Sequence, residues 1–260
     1  MERKKIIIGN WKMKLNLGES VRLAKGLVKA FKKYNRAAEV VACPSFVSLV
    51  DVAEILVKSK IQLGAQDVFW EAVGAFTGEV SPQTLQEVNC RYVVLGHSER
   101  RTYLGETDQM VHQKVKAVLD HKMSPVVCVG ETLEQRQEKQ QDYVVIGQVT
   151  KALEGIAVKP NDKITVAYEP VWVIGSGRPV APSEALHMHQ LIRQTLIDIF
   201  PLDVVQQNFR IIYGGSIDAE NVSDYSSLEL VDGFLVGGAS LKVDEFSNIV
   251  KVVTQNARPR

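Results

Sequence analysis

Eight short apolar runs, rich in β-branched residues, recur along this chain and limit its fold more than any other feature. They are IIIGNWK (6–12), EVVACPS (39–45), IQLGAQ (61–66), YVVLGH (92–97), SPVVCVG (124–130), ITVAYEP (164–170), FRIIYGG (209–215) and VDGFLVGG (231–238). Each is almost continuously apolar, the pattern of a strand buried on both faces. Longer mixed segments separate them. From Ser20 to Tyr34, the residues Val21, Leu23, Ala24, Leu27, Val28 and Phe31 form one helical stripe. Residues 106–121 and 184–200 read the same way, and Pro182-Ser183-Glu184 gives the latter a helix start. Strict strand–helix alternation implies a parallel α/β sheet. Repeats of about 32 residues match a βαβ step. Eight of them in 260 residues have the size of a closed (β/α)8 barrel. No linker or low-complexity segment interrupts the pattern, so residues 1–260 are expected to form one domain. An open doubly wound sheet would usually carry GxGxxG after its first strand; here that strand ends in Gly9-Asn10-Trp11-Lys12.

Charge narrows the partners. Thirty-one basic residues stand against 30 acidic ones, for a net charge of +1, which favours neither nucleic acid nor a membrane surface. No run approaches the ~18 apolar residues of a membrane span. The start, MERKKIIIGNWKMK, has a basic head but too short an apolar stretch for a secretory signal. Cys43, Cys90 and Cys128 are odd in number, widely spaced and without CxxC. That argues against a disulfide framework or a zinc site and fits a reducing cytoplasmic setting.

In a barrel of this kind, the residues that close each strand face the active site. The first run delivers Asn10 and Lys12, the fourth Gly96-His97-Ser98-Glu99, and the sixth Glu169. Proline at 170 pushes Glu169 into an extended conformation, which keeps the acid on its strand and aimed across the mouth. The seventh and eighth runs end in Gly214-Gly215-Ser216 and Gly237-Gly238. A single Gly-Gly pair makes a tight turn and no more. Two pairs on successive strands, each opening toward a helical segment, point to a phosphate cradle. The other histidines, at 112, 121, 187 and 189, fall on helical segments and read as surface or packing residues. A carboxylate, an imidazole, an ammonium and a phosphate cradle suit proton abstraction beside a carbonyl in a small phosphorylated substrate. No metal cluster is visible in the sequence.

The blocks GNWKM, GHSERR, AYEPVW, YGGS and GFLVGGASLK, in this order and spacing, resemble the triosephosphate isomerase family from Gly9 to Phe246. The resemblance implies a TIM barrel and the interconversion of D-glyceraldehyde 3-phosphate and dihydroxyacetone phosphate without a cofactor. It implies Glu169 as the base, His97 as a neutral electrophile and Lys12 as the cation serving both enediolate and phosphate. Asn10 would position the substrate, and Gly175, Ser216, Gly237 and Gly238 would grip the phosphate. Glu99 matches a family active-site acid. Residues 171–181 resemble the family's lid, and GAFTGE (74–79) resembles a loop that enters the neighbouring subunit of a homodimer, with Thr77 near its tip. Other barrel chemistries fit less well. A Schiff-base aldolase needs its lysine in an apolar pocket, isomerases of larger sugar phosphates lack the full set of blocks, and a non-catalytic binding barrel would have lost the base or the electrophile.

Three departures set the chain apart from the family pattern. The lid reads VWVIGSGR where VWAIGTGK is usual, and Arg178 is followed by Pro179, which fixes φ and predicts a stiffer trailing hinge. Asp67 stands in GAQDV where asparagine is typical. An extra charge near the dimer interface would be costly unless paired, so Asp67→Asn is expected to tighten the dimer.

Overall fold

The computed structural model describes residues 4–32, 38–174 and 179–256. Its first half runs β1 (Ile6–Asn10), α1 (Leu17–Ala30), β2 (Glu39–Cys43), α2 (Phe46–Leu56), β3 (Ile61–Ala65), α3 (Pro82–Glu87), β4 (Tyr92–Leu95), α4 (Ser98–Leu104) and α5 (Asp108–Asp120). Then follow β5 (Ser124–Val129), α6 (Leu133–Gln137), α7 (Gln141–Leu153) and β6 (Ile164–Tyr168). The chain ends with α8 (Pro182–Ile199), α9 (Leu202–Asn208), β7 (Phe209–Tyr213), α10 (Val222–Ser226), β8 (Gly233–Val236) and α11 (Val243–Asn256). The strands close in sequence order into one parallel barrel, β8 pairing back onto β1 through Ile6↔Gly233 to Gly9↔Val236. All eight strands expected from the sequence are present. The three helical stripes lie on α1, α5 and α8 with ends shifted by a few residues, and Tyr34 falls outside the described residues.

Alternation along each strand explains why the runs are continuously apolar. Ile6 and Ile8, Val41 and Cys43, and Tyr92 and Val94 point into the barrel, where they meet Val126, Cys128, Ala167, Ile212 and Leu235. The intervening residues, such as Ile7, Val40, Val93, Val127, Val166 and Ile211, pack outward beneath the helices. Both faces are therefore apolar, and an inner core sits inside an outer one. Gly64 faces inward, where a Cβ would lie 2.5 Å from the Cys43 sulfur; glycine lets the wall close there. The seams are unequal. β1 and β2 share five paired residues, whereas β7 and β8 share one, Tyr213↔Phe234, so the wall is loosest between the two glycine-ended strands.

Inward parity also fixes the rim. Continuing Ile6, Ile8 gives Asn10; continuing Ala167 gives Glu169; continuing Cys128, Ile212 and Leu235 gives Gly130, Gly214 and Gly237. Five of the inward positions at the barrel mouth are thus two side chains and three glycines.

One buried histidine serves the fold. His189 on α8 is fully buried, and its Nδ1 lies 3.0 Å from the Leu230 carbonyl, to which it donates. Burial pushes its pKa down to about 4. The neutral ring is therefore favoured in the folded chain, while the unfolded chain binds a proton below about 6.5. This contribution is complete above pH ~6.5 and is lost as pH falls toward ~4. Between pH 7.5 and 4.5, the parent is expected to lose about 2 kcal/mol of unfolding free energy relative to His189→Gln. Urea titrations of both proteins at the two pH values check this, and parallel losses would refute it.

Candidate active site

A cavity of about 430 Å³ opens at the C-terminal ends of the strands. Asn10, Lys12, His97, Glu99 and Glu169 line it, as do Ser216, Gly237 and Gly238. The cavity thus brings together Asn10, Lys12, His97, Glu99, Glu169, Ser216, Gly237 and Gly238 from the sequence reading, while Asp67, Thr77 and Pro179 lie outside its lining. Gly175 and Arg178 lie outside the described residues.

Glu169 follows β6 and remains tied to the barrel, its N–H donating to the Val129 carbonyl at 2.7 Å. Its side chain is 2% exposed. Oε2 accepts from the Ser98 backbone N–H at 3.1 Å, and Oε1 lies 3.2 Å from His97 Nε2. Two glycines make room for it. A Cβ on Gly130 would lie 1.7 Å from the Glu169 carbonyl oxygen, and one on Gly214 would lie 2.9 Å from Glu169 Cγ. Cys128 sits below, and burial first, then the Glu169 carboxylate, push its thiol well above the ordinary range.

His97 reaches the mouth by a different route. Strand parity alone would turn it outward, since Leu95 belongs to the outer core. Gly96 adopts φ +67, and this left-handed step brings the next residue over the cavity. His97 then caps α4, its Nδ1 accepting from the Glu99 N–H at 3.2 Å. With Nδ1 an acceptor, the ring proton is on Nε2, the nitrogen facing Glu169. The Gly96 peptide is held on both sides. Its N–H donates to Glu106 Oε2 at 3.0 Å, and its carbonyl accepts from Arg101 Nε at 2.7 Å.

Lys12 has φ +53, uncommon for a residue with a side chain. Three groups hold it there. Its N–H donates to Asn10 Oδ1 at 3.1 Å, its carbonyl accepts from Gln66 Nε2 at 2.9 Å, and Nζ pairs with Glu99 Oε1 at 2.6 Å. Partly exposed, the ammonium points toward Gly237, where a Cβ would meet Lys12 Cε at 3.6 Å.

The glycine turns differ from the expected geometry in one respect. After Gly237 the chain enters a 3-10 turn, Gly238–Leu241, at once. After Gly214-Gly215-Ser216, α10 begins only at Val222, and Asp218 caps the intervening turn by accepting from the Glu220 and Asn221 N–H groups. A helix end faces the cavity directly at the second turn only.

Asp67 departs from its expected cost. It is buried, but its carboxylate takes Lys114 Nζ at 2.7 and 2.9 Å and Arg100 at 2.8 Å. Glu106 shares both cations, making a quartet of two acids and two bases in which only Arg100 reaches the surface. Burial pushes the Asp67 pKa up to about 6 against the pull of Lys114. Burial works the same way on Glu106, but Lys114 and Arg100 outweigh it and hold that carboxyl below its ordinary range. The charge is paired within its own subunit, so the premise for a tighter dimer in Asp67→Asn does not hold.

Several residues at the site escaped the sequence reading. Gln66 bridges the carbonyls of Lys12 and Cys43. Glu131, fully buried, accepts from Tyr168 Oη, Trp172 Nε1 and Arg136 beside residues 171–174. Gln66 lies inside GAQDV and was visible as a strand-end amide; Glu131 stands one residue beyond its strand run, with no local signal. Among the described residues, no group of three or more His, Cys, Asp or Glu is placed to hold a metal ion, and no helix is long and apolar enough to cross a membrane.

A family model described as triosephosphate isomerase matches residues 5–253. Curated relatives agree. The triosephosphate isomerase of Caldanaerobacter subterraneus subsp. tengcongensis is 45% identical over 248 residues, covering 95% of this chain and 99% of its own. That of Carboxydothermus hydrogenoformans is 45% identical over 249 residues, covering 96% and 98%. That of Rhodopirellula baltica is 45% identical over 251 residues, with the same coverage.

Proposed function

The chain belongs to the triosephosphate isomerase family and interconverts D-glyceraldehyde 3-phosphate and dihydroxyacetone phosphate in glycolysis and gluconeogenesis, and from this premise we propose that Glu169 is the base that moves the proton. The observation that carries the assignment is its carboxylate, buried at the cavity wall and 3.2 Å from His97 Nε2. A substrate lodged between the two exchanges their mutual contact for its own. Glu169 then removes a proton from the carbon beside the carbonyl, and an enediolate forms. The Nε2–H of His97 and the ammonium of Lys12 stabilise charge developing on the oxygens. Asn10 fixes the Lys12 backbone and fills the inner wall beside the substrate. Glu99 sets the reach of Lys12 through the 2.6 Å pair and anchors His97 through its own N–H. Ser216, Gly237 and Gly238 present backbone N–H groups to the phosphate, with Gly175 completing the grip from the lid.

Turnover in D₂O tests the route. Proton transfer through an enediolate places solvent deuterium on the product carbon, read by NMR. Deuterium entering the product at the parental rate in Glu169→Gln would show that another group moves the proton, and Glu169 would lose its role.

The working form is a homodimer. Thr77 lies in an exposed loop steadied by an aromatic ladder, with Phe69 stacked on Trp70 at 4.0 Å and against Phe76 at 4.5 Å. Met13 and Val73 are exposed on the loops after β1 and β3, and Val47 is exposed on the first turn of α2, which follows β2; the three strands are neighbours. An apolar face of this kind suits a second copy. Sedimentation equilibrium reads the state, and a monomer at micromolar concentration overturns it. A cytoplasmic site of action fits the reaction and the three free, buried cysteines.

A further inference from the structure

We propose that Arg136 is a positioning residue that registers the segment just after the base against the start of α8. Its guanidinium has three neighbours on separate elements. NH1 lies 3.2 Å from Glu131 Oε1, NH2 pairs with Glu184, and the group lies over the Trp172 ring at 4.8 Å. Glu131 also accepts from Trp172 Nε1 at 2.9 Å, and its carbonyl accepts from the Val171 N–H at 3.0 Å. The leading flank, residues 171–174, is thus seated on a Glu131–Arg136 platform. Glu184 belongs to the first turn of α8, beyond the trailing flank. That side is anchored independently, because Val180 is buried and its carbonyl accepts from Tyr225 Oη. Arg136 therefore links a fixed reference, the start of α8, to Trp172, three residues after Glu169.

A planar fork suits this task. It stacks on the indole with its face while its edges address two carboxylates in different directions; an ammonium can pair with two carboxylates but has no face to lay on the ring. The consequence is felt at Glu169, whose backbone continues through Pro170 into the seated flank. Loss of the register lets the base wander, and catalysis depends steeply on sub-ångström placement. Glu184 does not line the cavity, and the side chain it pairs with is Arg136.

The inference rests on Glu169 being the base, which the Glu169 variants below test separately. Its own test is a cycle of Glu184→Gln, Arg136→Lys and the double variant. A partly exposed ion pair supports a change of about two- to fivefold, so Glu184→Gln is expected to lower kcat by that factor with KM within twofold. Arg136→Lys, which also loses the ring stack and the NH1 contact to Glu131, should lower kcat about tenfold. The double variant should match Arg136→Lys alone, since an ammonium without the ring stack no longer couples Glu184 to Trp172. With 5-fluorotryptophan incorporated, the Trp172 resonance, assigned by its loss in Trp172→Phe, should move in both single variants. Thermal midpoints within a few degrees of the parent separate positioning from unfolding. Parental kcat in Glu184→Gln, losses that multiply in the double variant, or an unmoved Trp172 resonance would each overturn the proposal.

Discussion

Shortening Glu169 by one methylene, as Glu169→Asp, is expected to lower kcat about a hundredfold or more, while 2-phosphoglycolate affinity stays within a few fold. The carboxylate reaches its place through a side chain threaded between Gly214, whose missing Cβ clears Cγ, and the backbone N–H of Ser98. The Glu169 backbone cannot follow to compensate, because its N–H is held by Val129 and its carbonyl abuts Gly130. The shorter acid falls about an ångström short, and misplacement on that scale costs about 10²-fold. Glu169→Gln removes the base altogether and should cost up to about 10⁴-fold. Steady-state turnover with a coupled NADH assay measures both. Parental kcat in Glu169→Gln would remove the proposed base.

The second large effect is expected from Lys12→Met. The side chain keeps its length and much of its packing but loses the ammonium. Loss of one preorganised charge stabiliser costs about 10²–10³-fold in the chemical step, and phosphate affinity should fall as well. Stability should hardly change. The left-handed backbone at position 12 is kept by Asn10 and Gln66, which bind its N–H and carbonyl rather than its side chain. Glu99, left without its partner, is 44% exposed and solvated in its place. A kcat/KM within tenfold of the parent, with an unchanged melting midpoint, would show that the ammonium does not serve the reaction.

The barrel was legible because its strands are buried twice over. A run such as ITVAY can be continuously apolar only if Ala167 meets an inner core while Val166 meets the helices. Glu169 was legible for the same reason, being the next inward position after Ala167, with Pro170 to keep it extended. His97 was legible as a residue but not as a direction. Its entry into the mouth depends on the positive φ of Gly96, and that glycine conformation depends on Glu106 and Arg101 gripping the peptide from both sides. Partners of this kind are set by the fold rather than by neighbours in the chain. Gln66 holds a carbonyl 54 positions away, and Glu131 accepts from an indole 41 positions away. Gln66 shows locally only as a strand-end amide, and no local pattern announces Glu131. Asp67 shows the reverse difficulty. Its identity was conspicuous, yet its cost could not be judged without Lys114 and Arg100, which only the closed barrel brings to it.

The twist at Lys12 bears on how such an enzyme answers selection. A side chain at φ +53 stores roughly 1–2 kcal/mol that a glycine in the same place would release. Laboratory evolution that rewarded heat resistance alone would therefore find an easy gain at position 12, and its winners would be robust barrels with crippled turnover. A library screened for survival on heating should be counter-screened for turnover at every round, and position 12 is where the two pressures first part company.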